Sequence, residues 1–187
     1  MDAIEALTTR SSAKAYGDMA PTRDHLDIIL QAAVRAPDHG RLRPWRFMII
    51  EGDNRARFGD ILAASALRRT PALSAGDLQR ERDKAKRAPL IILVACRAVG
   101  GTKVPVIEQI LAAGAAAQNI LLGLHNFGYA AAWKTGDAAY DPEVKRALGL
   151  NGDDHIVGFI YAGGGLGALF APGKPASVED AMLRFPA

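Results

Sequence analysis

The chain has 187 residues, of which 49% are hydrophobic and 23% charged, and carries a formal net charge of +3. That length buries a core without disulfides or a structural metal, and the composition is that of a folded protein, not of a disordered one. So small a charge, spread along the chain, argues against a nucleic-acid-coating protein; the single cysteine, Cys96, excludes an internal disulfide and fits a reducing, cytoplasmic location.

Met1 to Glu5 shows no basic segment leading into an apolar block, so no signal peptide is read there. Asp2 to Thr9 reads as a short helix, followed by a polar loop, Arg10 to Lys14. Thr22 is the N-cap of a helix running to about Arg35, with Leu26, Ile29, Leu30, Ala33 and Val34 at helical spacing. A connection from Ala36 to Pro44, holding Pro37, His39, Arg41 and Arg43, then leads into a strand from Trp45 to Glu51. Arg55 to Arg69 is helical, and so is the charged stretch from Gly76 to Arg87, where acids and bases alternate as on an exposed, ion-paired face. Pro89 to Arg97 is apolar almost throughout, which predicts a central strand with Cys96 a buried thiol.

Gly100 to Lys103 makes a loop before the long helix from Pro105 to about Phe127, roughly 33 Å at 1.5 Å per residue. Its run from Ala112 to Ala117 permits close approach to another element. No formal charge occurs from Gln109 to Trp133, a length that spans a bilayer. The polar residues Gln109, Gln118, Asn119, His125 and Asn126, and the break at Asn126-Phe127-Gly128, predict the buried helix of a soluble protein instead. Tyr129 to Thr135 is a third strand. Asp141 and Pro142 open a helix stopped by Gly149, and His155 to Gly163 is a fourth strand. From Gly164 onward the chain is a Gly- and Pro-rich tail. The order predicts one α+β domain over residues 1–187, helices covering a sheet.

Most motifs with chemical meaning are absent. Gly163 to Gly167 has no helix directly after it, so a loose strand exit is read there and not a dinucleotide fingerprint. Gly101-Thr102-Lys103 has the wrong order for a phosphate loop. His25, His39, His125 and His155 lack metal-ligand spacing, no Gly-x-Ser-x-Gly elbow occurs, and neither a metal nor a nucleophilic side chain is expected. Two constellations remain. Arg10, Ser11, Ser12 and Lys14 suit one phosphate monoester, a guanidinium fork with hydroxyls beside it, or else an exposed polar turn. Trp133-Lys134-Thr135-Gly136 offers a planar ligand a cation and backbone N–H groups, or is a plain strand end.

These residues resemble a known family. Arg10-x-Ser12-x-Lys14 is similar to the Arg-x-Ser-x-Arg/Lys motif that opens the nitroreductase family of FMN flavoproteins. Arg35 to Phe47 resembles that family's Ala-Pro-Ser-x-x-Asn-x-Gln-Pro-Trp segment, and its Arg-Ala-Pro-Asp-His opening is that of the short YdjA-type subgroup. Trp133 to Gly136 and Ile156 to Gly163 resemble that subgroup's Trp-Arg-Ser-Gly and its last core strand.

The resemblance implies a nitroreductase-like α+β fold: a central, mostly antiparallel sheet flanked by helices, in an intertwined homodimer with one FMN at each end of the interface. By carry-over, Arg10, Ser11 and Ser12 would hold the phosphate and ribityl chain, and Lys14 would lie near the flavin. Arg35 and His39 would reach the flavin from the other subunit, and Trp133, Lys134 and Thr135 would line the ring. The turn Gly123, Leu124, His125, Asn126, Phe127 and Gly128 is a candidate for nicotinamide-nucleotide contact. Ser11 departs from an arginine common in the family, and Lys174 and Arg184 are the basic residues available near the C-terminus. The implied activity is ping-pong hydride transfer from NAD(P)H through flavin N5 to a nitroaromatic, quinone or similar acceptor. No side chain acts as acid or base in it, and Lys14 or Lys134 stabilises negative charge on the ring. Alternatives are a flavin-linked dehalogenase or flavin-cleaving enzyme of the same fold, or a non-catalytic FMN-binding protein; no nucleic acid or membrane partner is implied.

Overall fold

The computed structural model describes residues 1–165 and 177–183. Strands β1 (Trp45–Glu51), β2 (Leu90–Cys96), β3 (Tyr129–Lys134) and β4 (His155–Gly164) form one antiparallel sheet in the order β1-β2-β4-β3. The helices are α1 (Ala3–Thr9), α2 (Arg23–Ala33), α3 (Asn54–Arg69), α4 (Ala75–Asp83), α5 (Val106–Asn126), α6 (Pro142–Ala147) and the short α7 (Val178–Ala181).

Every residue of β2 is buried, as its unbroken apolar run predicts for a strand covered on both faces. On one face α2 and α5 pack Ile29, Ala113, Ala117, Ile120 and Leu124 against Ile92, Val94 and Ile160. On the other, Phe58, Leu62 and Val144 from α3 and α6 meet Ile91, Leu93 and Phe159. The small side chains Ala112, Ala113, Ala116 and Ala117 form the buried face of α5. That helix is apolar and long enough to cross a membrane, and here its inner face covers the sheet. Its outer face leaves Ile107 and Leu111 exposed, as α1 leaves Ile4 and Leu7 and α2 leaves Ile28. An apolar groove of about 450 Å³ opens between α1, α2 and α5.

Strand limits fall within a residue or two of the sequence reading. Two of the helices end earlier. Helix α2 stops at Ala33, where Arg35 N–H closes a tight turn on Ala32 O, because Pro37 disfavours helix at the residue before it. Helix α4 stops at Asp83 and yields to a single 3-10 turn, Lys84–Lys86, ahead of Pro89. Helix α6 has the expected Asp141 cap and ends with Gly149 at φ 70°, the left-handed position that glycine supplies after a helix.

The strand carries one glycine further than the sequence reading, while Leu166 and Gly167 lie outside the described residues. Gly163 and Gly164 lie inside β4, and Gly164 also bridges to Gly17. A Cβ built on Gly163 would stand 2.5 Å from Gly17 O and 2.8 Å from Pro89 Cδ. Lys174 and Arg184 lie outside the described residues, and α7 was not anticipated. Gly163→Ala therefore forces backbone apart at the sheet's end: it should destabilise the protein by about 1–3 kcal/mol, read as a lowered urea midpoint with unchanged m-value.

Candidate functional site

Helix α1 is capped by Asp2, whose carboxylate accepts Glu5 N–H, and closes with Arg10 N–H on Ala6 O. Beyond Arg10 the chain runs along the exposed edge of the sheet. Ala13 N–H donates to Ala131 O of β3 at 2.9 Å, which pairs a strand edge that would otherwise stand open. Residues 10–16 thereby separate two clefts.

The first cleft, about 280 Å³, is lined by Arg10, Ser11, His125, Tyr129, Gly128 and Gly165, among others. Thr9 Oγ1 lies 2.6 Å from Glu5 O and 2.9 Å from His125 Nε2. Its single proton goes to the carbonyl, so His125 Nε2–H donates to the threonine. Arg10 Nη1 is buried with no hydrogen-bond partner among the described residues.

The second cleft, about 330 Å³, is lined by Lys14, Tyr16, Lys84, Arg87, Lys134, Thr135 and Tyr161. No carboxylate is among these residues. A hollow of about 220 Å³ continues it past Gly136 and Phe159, where Glu81 pairs with Lys84. Tyr16 Oη is the second buried polar atom without a partner among the described residues. Burial pushes the Tyr161 phenol up to about 12, with Arg87 pulling partly the other way, and pushes Tyr16 up as well. Both phenols therefore stay protonated and present hydrogen-bond donors.

The structure sorts the remaining candidates. Lys134 and Thr135 join Lys14 in the second cleft, but Trp133 does not. Neighbouring strand residues point to opposite faces: the Trp133 indole donates to Val157 O at 3.1 Å, lies across Gly158 and meets Gly114 of α5. Ser12 is exposed and lines neither cleft. Of the turn from Gly123 to Gly128, only His125 and Gly128 face the first cleft. Leu124 is wholly buried, Gly123 packs on Ile29, and Phe127 stacks on His25 with centroids 4.0 Å apart; packing, not ligand contact, occupies them. Asn126 and Arg35 border the apolar groove instead. His39 donates from Nδ1 to Glu108 at 2.6 Å.

Sequence reasoning passed over Tyr16, Lys84, Arg87 and Tyr161. The charged stretch does carry the expected surface pairs, Arg80 with Asp77 and Arg82 with Asp60. The available signal was position: Lys84 and Arg87 directly precede the central strand. His39 and Arg10 mark opposite ends of α5. Their contacts on that helix, Glu108 and His125, are seventeen residues apart, about 26 Å along the axis.

The Nitroreductase family model matches residues 7–164. The Escherichia coli K12 protein YdjA, provisionally named an NAD(P)H nitroreductase, is 40% identical over 167 residues, 87% of this chain and 88% of YdjA. A nitroreductase-like protein from Bacillus cereus superposes with a TM-score of 0.83 at 22% identity, covering 100% of this chain and 97% of that one. A Desulfovibrio desulfuricans protein, provisionally described as a nitroreductase and solved in complex with FMN, superposes with a TM-score of 0.76 at 26% identity over 98% of this chain and 96% of its own.

Desolvation, with the Arg10 guanidinium beside it, holds His125 below its ordinary range, against a smaller opposing pull from Glu5. A depressed histidine pKa means that protonation favours the unfolded chain, so this contribution to stability is present above the ordinary pKa and lost as pH falls through the folded one. An anion seated on Arg10 reverses the local field. The His125 ring resonance in an NMR titration should therefore have a low midpoint in the free protein, moving upward when inorganic phosphate is added.

Proposed function

The chain belongs to the nitroreductase family, and on that footing we propose that it is an FMN-dependent NAD(P)H oxidoreductase working in ping-pong fashion on a nitroaromatic, quinone or similar acceptor. The observation that carries this reading is the pair of orphaned buried atoms, Arg10 Nη1 and Tyr16 Oη, placed in two clefts on either side of the segment at Ala13. Leaving a buried donor unpaired costs about 1–3 kcal/mol, and a ligand with a phosphate at one end and a polar ring at the other satisfies both. FMN, where bound, would supply the redox chemistry that links the nicotinamide to the acceptor.

The chain's own residues then bind and orient. Arg10 would fork onto the phosphate with Ser11 beside it, and His125 would bound that end, while Ser12, outside the cleft, is left without a role. Lys14, Lys134 and Thr135 hold the ring end, where Tyr16 donates a hydrogen bond. Lys14, Lys134 and Arg87 together make a positive field where negative charge collects, fixed before the reaction begins. Trp133 serves by stiffening the strand that carries Lys134. No side chain is assigned a proton-transfer step.

Two copies complete the site. One ligand cannot reach both Arg10 and His39 of the same chain across about 26 Å of helix, whereas a second copy set against α5 brings its own Arg35 and His39 to the first copy's clefts. The apolar residues exposed on α1, α2 and α5 supply the surface for that homodimer. The placement is cytoplasmic and the 187 residues act as one domain.

Purified protein should show a flavin absorption spectrum that bleaches anaerobically with NAD(P)H, and a colourless protein that refuses added FMN overturns the reading. Arg10→Ala should weaken FMN binding about 10–150-fold in a fluorescence titration, the value of one charge-assisted hydrogen bond. Leu111→Glu, placing a charge in the proposed interface, should give a monomer by light scattering that has also lost FMN.

A further inference from the structure

The connection between α2 and β1 holds an unusual backbone. Gly40, Arg41 and Arg43 all have positive φ, 74°, 53° and 48°, and the two arginines are the only non-glycine residues with positive φ among those described. Arginine has no intrinsic preference for this conformation, which glycine and asparagine tolerate far better. The loop is held there by Asp38, whose carboxylate accepts Arg43 N–H at 2.7 Å and whose carbonyl accepts Arg41 N–H at 3.2 Å. Arg46 adds a clamp from below, donating to Arg43 O and Trp45 O.

The charges of this loop are unevenly spent. His39 is paired with Glu108, and Arg46 is committed to carbonyls. Arg41 and Arg43 are exposed, and among the described residues no carboxylate lies within salt-bridge distance of either. Their positions in the family segment quoted above are those of its Asn and its Gln, so two neutral amides are replaced by two guanidinium groups. A left-handed backbone kept in spite of the wrong residue type, with neither side chain ion-paired among the described residues, indicates a function for the charges rather than for the turn.

We infer that Arg41 and Arg43 form a phosphate-reading fork that selects the 2′-phosphorylated nicotinamide nucleotide, NADPH, over NADH. This rests on the reading above, in which a second copy delivers this loop to the flavin site, and it names the reducing substrate that site takes. Two guanidinium groups with paired donors suit a phosphate monoester better than lysines do. FMN's own phosphate is already met by Arg10, which leaves the nucleotide's phosphates; of these the 2′-group alone is a monoester, the form that paired guanidinium donors match, and the bridging diphosphate is common to NADH and NADPH.

The test is calorimetric titration of the FMN-loaded protein with NADP⁺ and with NAD⁺, for the wild type and for R41N/R43Q, which removes both charges and keeps a polar side chain at each position. NADP⁺ should bind the wild type at least about tenfold more tightly than NAD⁺, the effect of one charge-assisted contact, and that margin should shrink as salt is raised. In R41N/R43Q the margin should vanish while FMN affinity stays the same. A wild type without preference, or a preference that survives the substitutions, overturns the assignment. Loss of FMN affinity in R41N/R43Q overturns it too, since the phosphate read would then be the flavin's own. A wild type that binds no FMN refutes instead the flavoenzyme reading.

Discussion

The double-sided burial of β2 is the constraint on which the rest of the molecule depends. A strand with no residue open to solvent needs a covering layer on each face and a paired neighbour on each edge. Helices α2 and α5 supply one layer, α3 and α6 the other, and β1 and β4 the edges. Covering β2 closely calls for small residues on α5, hence the alanines, and because β1 and β4 take both edges of β2, β3 is left at the sheet's rim, paired only with β4. That rim is where the segment from Arg10 to Tyr16 attaches. A requirement of the core thus decides where polar side chains gather.

Along that rim the chain does something expensive. It buries one arginine nitrogen and one phenol without partners among the described residues, and of the four cations it gathers around the phenol only Lys84 has an acid, Glu81, at its side. A folded chain ordinarily pairs such groups. Ion pairs occur readily elsewhere in this molecule, as at Ser65, Arg68 and Asp141, where the carboxyl is held down at about 2 by its hydrogen bonds and by Arg68, although burial pulls the other way. The contrast within one protein identifies the unpaired region as the part shaped for something other than itself.

Much of this was visible beforehand. The uniform apolarity of Leu90 to Cys96 announced the central strand, Thr22 and Asp141 announced their helices by side-chain capping, and the cluster at Arg10 stood out as unlike a core. Trp133 and Lys134 were read as one lining although strand alternation separates their side chains, and the structure places them on opposite faces. Lys84 and Arg87 were hidden because a helix with alternating charge looks the same whether or not its last residues turn toward a cleft. Tyr16 and Tyr161 come together only through the sheet, their rings 6.4 Å apart, a contact no local pattern contains. The left-handed arginines are equally illegible, since nothing in the letters Arg-Leu-Arg reports the sign of φ.

Cys96 ends the central strand, is fully buried, and has its thiol pushed up to about 11, chiefly by burial and further by Asp154. Thiol reagents attack the exposed thiolate, so this sulfur is silent while β2 keeps both neighbours. It reacts only when the sheet itself opens. The only cysteine in the chain is thus a built-in probe of that end of the central strand, its labelling rate a reading of how often the sheet opens there, with no engineered probe and no second thiol to confuse the signal.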